Sequence, residues 1–262
     1  MTSLGSWLFT PLPAFPATVF PNVALWNDPL TMYVLDGNAL GMSAAESFKR
    51  RKPVDSAQPD SVVVSVGYPL TDNVYAFPRR FIDFRPPLPV PQEYPSNADD
   101  LIEFLDDVVR PWVRSTVFPN VTFTRDALYG HSFGGLFETY AMITHPELFD
   151  TFISSSPAVM WNNGSILDDV TKRLGSGSPP CLLRAGDEGS RCRNGNDHGT
   201  NSRPASFVSY GSLEDWPVKR RTETEAEFKA RKDMIKTYHM AEYCHELYNR
   251  VSGKMRDVLL KI

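Results

Sequence analysis

The sequence predicts an α/β fold: a mostly parallel central sheet with helices on both of its faces. Three observations predict it. Short unbroken runs of β-branched and apolar residues recur along the chain, amphipathic stretches lie between them, and glycine-containing turns separate the two. A chain of 262 residues can bury one large core, so a single domain over 1–262 is expected. Residues 1–30 are read as an irregular N-terminal segment with one short strand, and 175–204 as an irregular insertion.

The first clear strand is Met32-Tyr-Val-Leu35, ended by the turn signal Asp36-Gly37-Asn38. Ser61-Val-Val-Val-Ser-Val66 is the next, ended by Gly67. Residues 68–95 hold many prolines and aromatics; so long a loop is usually functional or disordered, and its aromatics with Arg79, Arg80 and Arg85 favour an ordered wall. From Asn97 to Arg110, apolar residues at 101, 104, 105, 108 and 109 share one helical face. Ser96 or Asn97 caps that helix, and Pro111 ends it or begins the next turn. Ala127-Leu-Tyr129 is a short strand, and apolar residues at 133, 136, 137, 140 and 141 make the following helix amphipathic. Asp150–Ser155 is a further strand. Either Cys181–Arg184 or Ser206–Tyr210 comes next, the second being preferred because Gly211 ends it. One long charged helix over Thr224–Arg250 and a last strand over Arg256–Ile262 complete the pattern.

Composition narrows the function classes. A hydrophobic share of 42% with 22% charged residues is that of an ordinary soluble protein. A formal net charge of −4 argues against nucleic acid, which favours strongly basic faces. No apolar run approaches the ~20 residues that span a bilayer. The N-terminus lacks Lys and Arg and is interrupted by Pro11, Pro13 and Pro16, so no cleavable leader is read. Cys181, Cys192 and Cys244 are an odd number without metal-ligand spacing, as expected of free thiols in the cytoplasm.

The segment that carries chemistry is Gly130-His131-Ser132-Phe133-Gly134-Gly135, which fits the pattern G-x-S-x-G between a strand and a helix. The sharp turn lifts the serine hydroxyl clear of the sheet beside a helix N-terminus. Ser132 is therefore the candidate nucleophile. Acyl transfer also needs donors aimed at the developing oxyanion. The backbone N–H of Phe133 is one, and Asn38, after an earlier strand, is chosen as the other. In this fold the acid and then the histidine follow the serine. Glu214 is the acid, with Asp215 beside it, if the next strand is 206–210; Asp187 takes the place if it is 181–184.

The base is not found. His131 lies inside the turn, His145 ends the next helix, and His239 and His245 fall on the late helix. His198 is a weak candidate, because it precedes the strand expected to carry the acid.

In these blocks the chain resembles the siderophore esterases of the α/β-hydrolase superfamily, which include enterobactin and salmochelin esterases and fungal fusarinine-type siderophore hydrolases. The resemblance covers about residues 31–262. It rests on Tyr33-Val-Leu-Asp-Gly-Asn38, Val64-Ser-Val-Gly-Tyr68, Arg79-Arg-Phe-Ile-Asp-Phe-Arg-Pro-Pro87, Gly130-His-Ser-Phe-Gly-Gly-Leu-Phe137, His145-Pro-Glu-Leu-Phe149 and Ser154-Ser-Ser-Pro157 with Trp161. It implies hydrolysis of ester bonds in a hydroxamate or catecholate siderophore, ferric or free, to release iron in the cell. Arg79, Arg80 and Arg85 are expected to receive substrate oxygens, which the guanidinium fork suits. The chemistry needs no cofactor and no resident metal. Family members carry a strand pair before the first strand and a Gly-x-x-His-Gly-like segment after the last. The first is weak here and the second absent, so the chain reads as shortened at both ends. Two other readings stand beside this one: a non-catalytic binding relative without its histidine, and a general carboxylesterase or thioesterase.

Overall fold

The computed structural model describes residues 2–4, 7–9, 29–51, 53–69, 73–89, 94–175 and 203–261. Asp187, His198, Cys181 and Cys192 lie outside the described residues, as does most of the 175–204 insertion. A six-stranded sheet follows the order β4-β3-β5-β6-β7-β8, where β3 is Leu30–Leu35, β4 Ser61–Val66, β5 Arg125–His131, β6 Thr151–Ser155, β7 Ala205–Ser209 and β8 Val258–Lys261. Each of the described pairings β3–β4, β6–β7 and β7–β8 is parallel, as the unbroken apolar runs predict. A separate antiparallel pair, β1 (Thr2–Leu4) and β2 (Trp7–Phe9), sits in the N-terminal segment where one strand is expected. Among the described residues, no helix is long and apolar enough to cross a membrane.

The chain falls into two compact units, Met1–Ala127 and Leu128–Ile262. In the first, β3 runs straight into α1 (Gly37–Arg51). The signal Asp36-Gly37-Asn38 is thus the start of a helix as well as a turn. Asp36 adopts φ 51°, and its carbonyl accepts the N–H groups of Ala39 and Leu40 at 2.9 and 3.1 Å. The segment after β4 contains a short helix, α2 (Phe77–Asp83), with proline in its first turn, where the missing N–H costs nothing.

The expected helix from Asn97 does not end at Pro111. It continues as α3 (Ala98–Phe104), a π segment (Leu105–Val109), α4 (Arg110–Trp112) and a second π segment (Val113–Val117). The N–H groups of Arg110 and Phe118 reach five residues back, to Leu105 and Val113. Wider turns on either side of a proline accommodate a residue that cannot donate its own hydrogen bond. Apolar residues of this helix (Leu101, Ile102, Leu105, Val109, Val113) are buried, with Tyr33, Val34 and Leu35 among the unit's other core residues.

In the second unit β5 feeds α5 (Phe133–Thr144). The sequence reading makes this helix amphipathic, yet every residue from Gly134 to Thr144 is buried. A helix enclosed on all sides needs partners for its polar groups, and Glu138 Oε2 and Thr139 Oγ1 have them. Glu138 and Thr139 meet Ser154 of β6, and Thr139 Oγ1 also donates to the Gly135 carbonyl at 2.9 Å. Beyond β6 come α6 (Ser165–Gly175), then β7, α7 (Glu225–Lys236), α8 (Met240–Val251) and β8. The single long helix expected over 224–250 is two helices, broken at His239 with φ 47°. The reason is local. Asp215 accepts the N–H groups of Met240 and Ala241, both at 2.9 Å, and so caps a new helix there. In α7 no residue is buried, and a capping box between Thr224 and Glu227 supports its start.

Candidate active site

Ser132 sits where β5 bends into α5, at φ 57° and ψ −117°. That conformation is costly for a residue with a side chain, by about 1–3 kcal/mol, and persists only when the surroundings fix it. Here the backbone is held at both ends. Its N–H donates to the Ser155 carbonyl at 3.0 Å, and its carbonyl accepts from Leu136 (3.0 Å) and Ala158 (2.9 Å). The turn also requires its glycines. A Cβ on Gly130 would lie 2.0 Å from the Gly134 carbonyl oxygen, and one on Gly135 would lie 2.9 Å from Pro157 Cα. The strand–turn–helix context that the G-x-S-x-G pattern demands is therefore present. Ser132 is half-buried, and its side chain makes no capping hydrogen bond to the helix it starts. The N–H of Phe133 belongs to the first turn of α5, whose amides carry the positive end of the helix dipole.

Glu214 follows β7, the strand preferred from sequence as the acid's carrier, and is half-buried. Its Oε1 accepts from the Gly211 N–H at 3.0 Å and from the hydroxyl of Ser156. Asp215, its neighbour, is occupied with the start of α8. The two carboxylates are thus told apart by their partners, and Glu214 is the one turned toward the residues after β6.

The histidines take other places. His131 is the last residue of β5, and His145 is at the far end of α5 from Ser132, its Nδ1 2.9 Å from Thr144 Oγ1. His239 is an exposed residue 3.3 Å from Glu242, and His245 lies 3.0 Å from the Tyr210 hydroxyl. β7 begins at Ala205, so residue 198 precedes that strand in the chain.

In the first unit, the side chain of Asn38 is committed to Tyr68: Oδ1 accepts its N–H at 2.8 Å, and Nδ2 donates to its carbonyl at 2.9 Å. Its backbone amide lies in the first turn of α1. The three arginines expected at substrate oxygens are less alike than their spacing suggests. Arg80 is 5% exposed and grips Asp36 through contacts of 2.7, 2.9 and 3.2 Å. Arg85 is buried, 4.1 Å over the Phe81 ring, with Nη2 donating to the Tyr94 carbonyl. Arg79 pairs with Asp83 at 2.9 Å and keeps about a third of its side chain exposed. Two of the three are buried in their unit, Arg80 held by a carboxylate and Arg85 by a carbonyl and an aromatic ring. Asp83, also bonded to Asn97 and Tyr68, is raised above the usual carboxylate range by burial.

The burial of two groups, Glu138 and the free thiol of Cys244, escapes sequence reasoning. Glu138 is fully enclosed, and burial pushes its carboxyl well above the ordinary range. Its place in a run of apolar helix residues was the available signal. Cys244 is buried, with its thiol pushed up to about 12, first by burial and then by the Glu214 and Asp215 charges. At pH 8 roughly one thiol in ten thousand is then ionised, and the thiolate is the reactive species. We expect Cys244 to resist iodoacetamide at pH 8 in the native protein and to react at the ordinary thiol rate in urea. Peptide mass mapping measures this, and rapid native labelling of Cys244 would refute it.

The chain as a whole is similar to known proteins. The family model described as "Putative esterase" matches residues 27–249. "Siderophore enterobactin esterase" of Emericella nidulans is 35% identical over 242 residues, which cover 88% of this chain and 73% of that protein. "Siderophore triacetylfusarinine C esterase" of Aspergillus fumigatus is 31% identical over 243 residues, covering 88% and 75%. Among solved structures, "Siderophore hydrolase EstA from Aspergillus nidulans" matches with a TM-score of 0.75 at 34% identity, over 90% of this chain and 75% of that one.

Proposed function

Since the chain belongs to the siderophore esterase family, we propose that it is a serine hydrolase that cleaves ester bonds of a siderophore. The observation that carries the reading is the bend at 130–135, which holds Ser132 half-buried at a helix N-terminus with its hydroxyl unused by the helix. In this reading Ser132 Oγ attacks the ester carbonyl carbon while its proton passes to a general base. The carbonyl oxygen becomes an oxyanion, and the Phe133 N–H, at the positive end of α5, stabilises it. The tetrahedral adduct collapses, the C–O bond to the leaving alcohol breaks, and that alcohol takes the proton. Water then attacks the acyl-enzyme by the same path and restores Ser132. Glu214 is the acid of the set. Both of its described bonds use Oε1, so Oε2 is the oxygen assigned to orient a base. Ferric iron, where present, is cargo within the substrate.

A substrate panel tests the proposal: ferric triacetylfusarinine C, ferric enterobactin and p-nitrophenyl acetate, compared as kcat/KM. We expect one of the siderophores to exceed the aryl ester by about tenfold or more, since remote contacts on a large substrate are used to lower the barrier. Preference for the aryl ester would favour a general carboxylesterase instead. Turnover no greater than that of Ser132→Ala on all three would end the enzyme reading.

A further inference from the structure

The geometry points to Ser156 as the positioning residue that couples the nucleophile turn to the acid loop. The inference rests on the esterase reading above and deepens it. Four consecutive residues, Ser155 at the end of β6 and the three after it, face two ways. On one side, the Ser155 carbonyl accepts the Ser132 N–H at 3.0 Å, and the Ala158 N–H donates to the Ser132 carbonyl at 2.9 Å. On the other, the Ser156 N–H donates to the Ser209 carbonyl at 2.6 Å, and the Ser156 hydroxyl donates to Glu214 Oε1. Ser132 and Glu214 are 82 positions apart in sequence, yet each is bonded to this one short segment.

Ser156 is 6% exposed and adopts φ 43°, a left-handed conformation that a side chain disfavours. That backbone is fixed from both directions, by the bond to Ser209 and by Ala158 beyond it. Its hydroxyl is therefore aimed by the same contacts that hold the nucleophile. The Gly211 N–H and the Ser156 hydroxyl both fall on Oε1, so they fix the carboxylate's rotation and present Oε2. Without the hydroxyl, Glu214 keeps one described donor and can turn about its own side-chain torsions. The acid's orientation is thereby made dependent on the placement of the serine it serves.

Two substitutions separate the hydroxyl from the backbone. Ser156→Ala and Ser156→Gly both lack the hydroxyl, while glycine alone relieves the left-handed conformation. Each is expected to lower kcat about ten- to a hundredfold, with KM changed less than about twofold, because orientation and not ground-state binding is lost. Recovery of the wild-type kcat by Ser156→Gly would overturn the proposal, since it would make the effect one of backbone conformation. In a Glu214→Ala background, Ser156→Ala is expected to add no further loss in kcat. An equal loss in both backgrounds would show that Ser156 does not act through Glu214.

Urea unfolding of the wild type, Ser156→Ala, Glu214→Ala and the double variant gives a readout that needs no turnover. Non-additive shifts from Ser156→Ala and Glu214→Ala are expected, and strict additivity would refute the contact. If the wild type hydrolyses no ester faster than Ser132→Ala, the esterase reading fails, while the unfolding cycle still decides whether Ser156 holds Glu214.

Discussion

Ser132→Ala is expected to lower siderophore-ester hydrolysis by on the order of 10⁴-fold or more and to leave the fold intact. The size follows from chemistry, because removing the nucleophile removes the covalent path and leaves only binding and the oxyanion donors. Retention of the fold follows from the contacts. Ser132 is held by its backbone N–H and carbonyl, which alanine also has, and its hydroxyl does not cap α5. Alanine meets the same positive φ as serine, so no new strain is introduced. The measurement is kcat/KM together with intact mass after a fluorophosphonate probe, which should add one adduct to the wild type and none to the variant. His198→Ala serves as the control and is expected to stay near the wild-type rate, since residue 198 precedes the strand that carries Glu214. A loss as deep as that of Ser132→Ala would make His198 the base. Hydrolysis by Ser132→Ala at the wild-type rate would end the assignment of the nucleophile.

Arg80→Ala is expected to have the largest effect on stability. The guanidinium is 5% exposed and Asp36 2% exposed, so removing one partner leaves the other charge buried and alone. Breaking such a pair costs about 3–5 kcal/mol. For a chain of this length that corresponds to a fall in Tm of about 10 °C. The same change also strips packing from the Tyr75, Phe77 and Phe84 rings, which lie 5.5–6.0 Å from the guanidinium carbon. Thermal unfolding measures the loss. Kinetics well below the transition then separate the two roles proposed for Arg80. An unchanged KM agrees with a core residue, whereas an unchanged Tm with a raised KM would restore the substrate-binding role expected from sequence.

What the sequence made legible was what neighbouring residues decide among themselves. The bend at Gly130–Gly135 is one example, since strand, turn and helix are all encoded within some twenty positions. Strand β7 was legible from a short run closed by Gly211, and with it the position of Glu214. Elements whose cause lies elsewhere in the chain were not. Helix α1 buries only Gly37 and Gly41, so it shows little apolar period, and its opening residues read as a turn. The break at His239 depends on Asp215, 24 positions earlier. The burial of Arg80 depends on Asp36, 44 positions away, and three similar arginines in a row of motifs gave no hint of their different partners. Ser156 was visible only as part of the block Ser154-Ser-Ser-Pro157, because Glu214 lies 58 positions beyond it. No histidine was found from sequence at the place of the base, and the four described histidines lie at other positions.

The carboxylate of Asp215 carries a last consequence. It clasps the leading amides of α8 and sits one peptide bond from Glu214, so the helix and the proposed acid share a single anchor. When thermal motion frays that end of the helix, the anchor is released and the acid's neighbour is set loose with it. If Glu214 is the acid as proposed, a substitution that weakens the first turn of α8, which starts 25 residues after Asp215, is expected to register as lost turnover before it registers as lost fold.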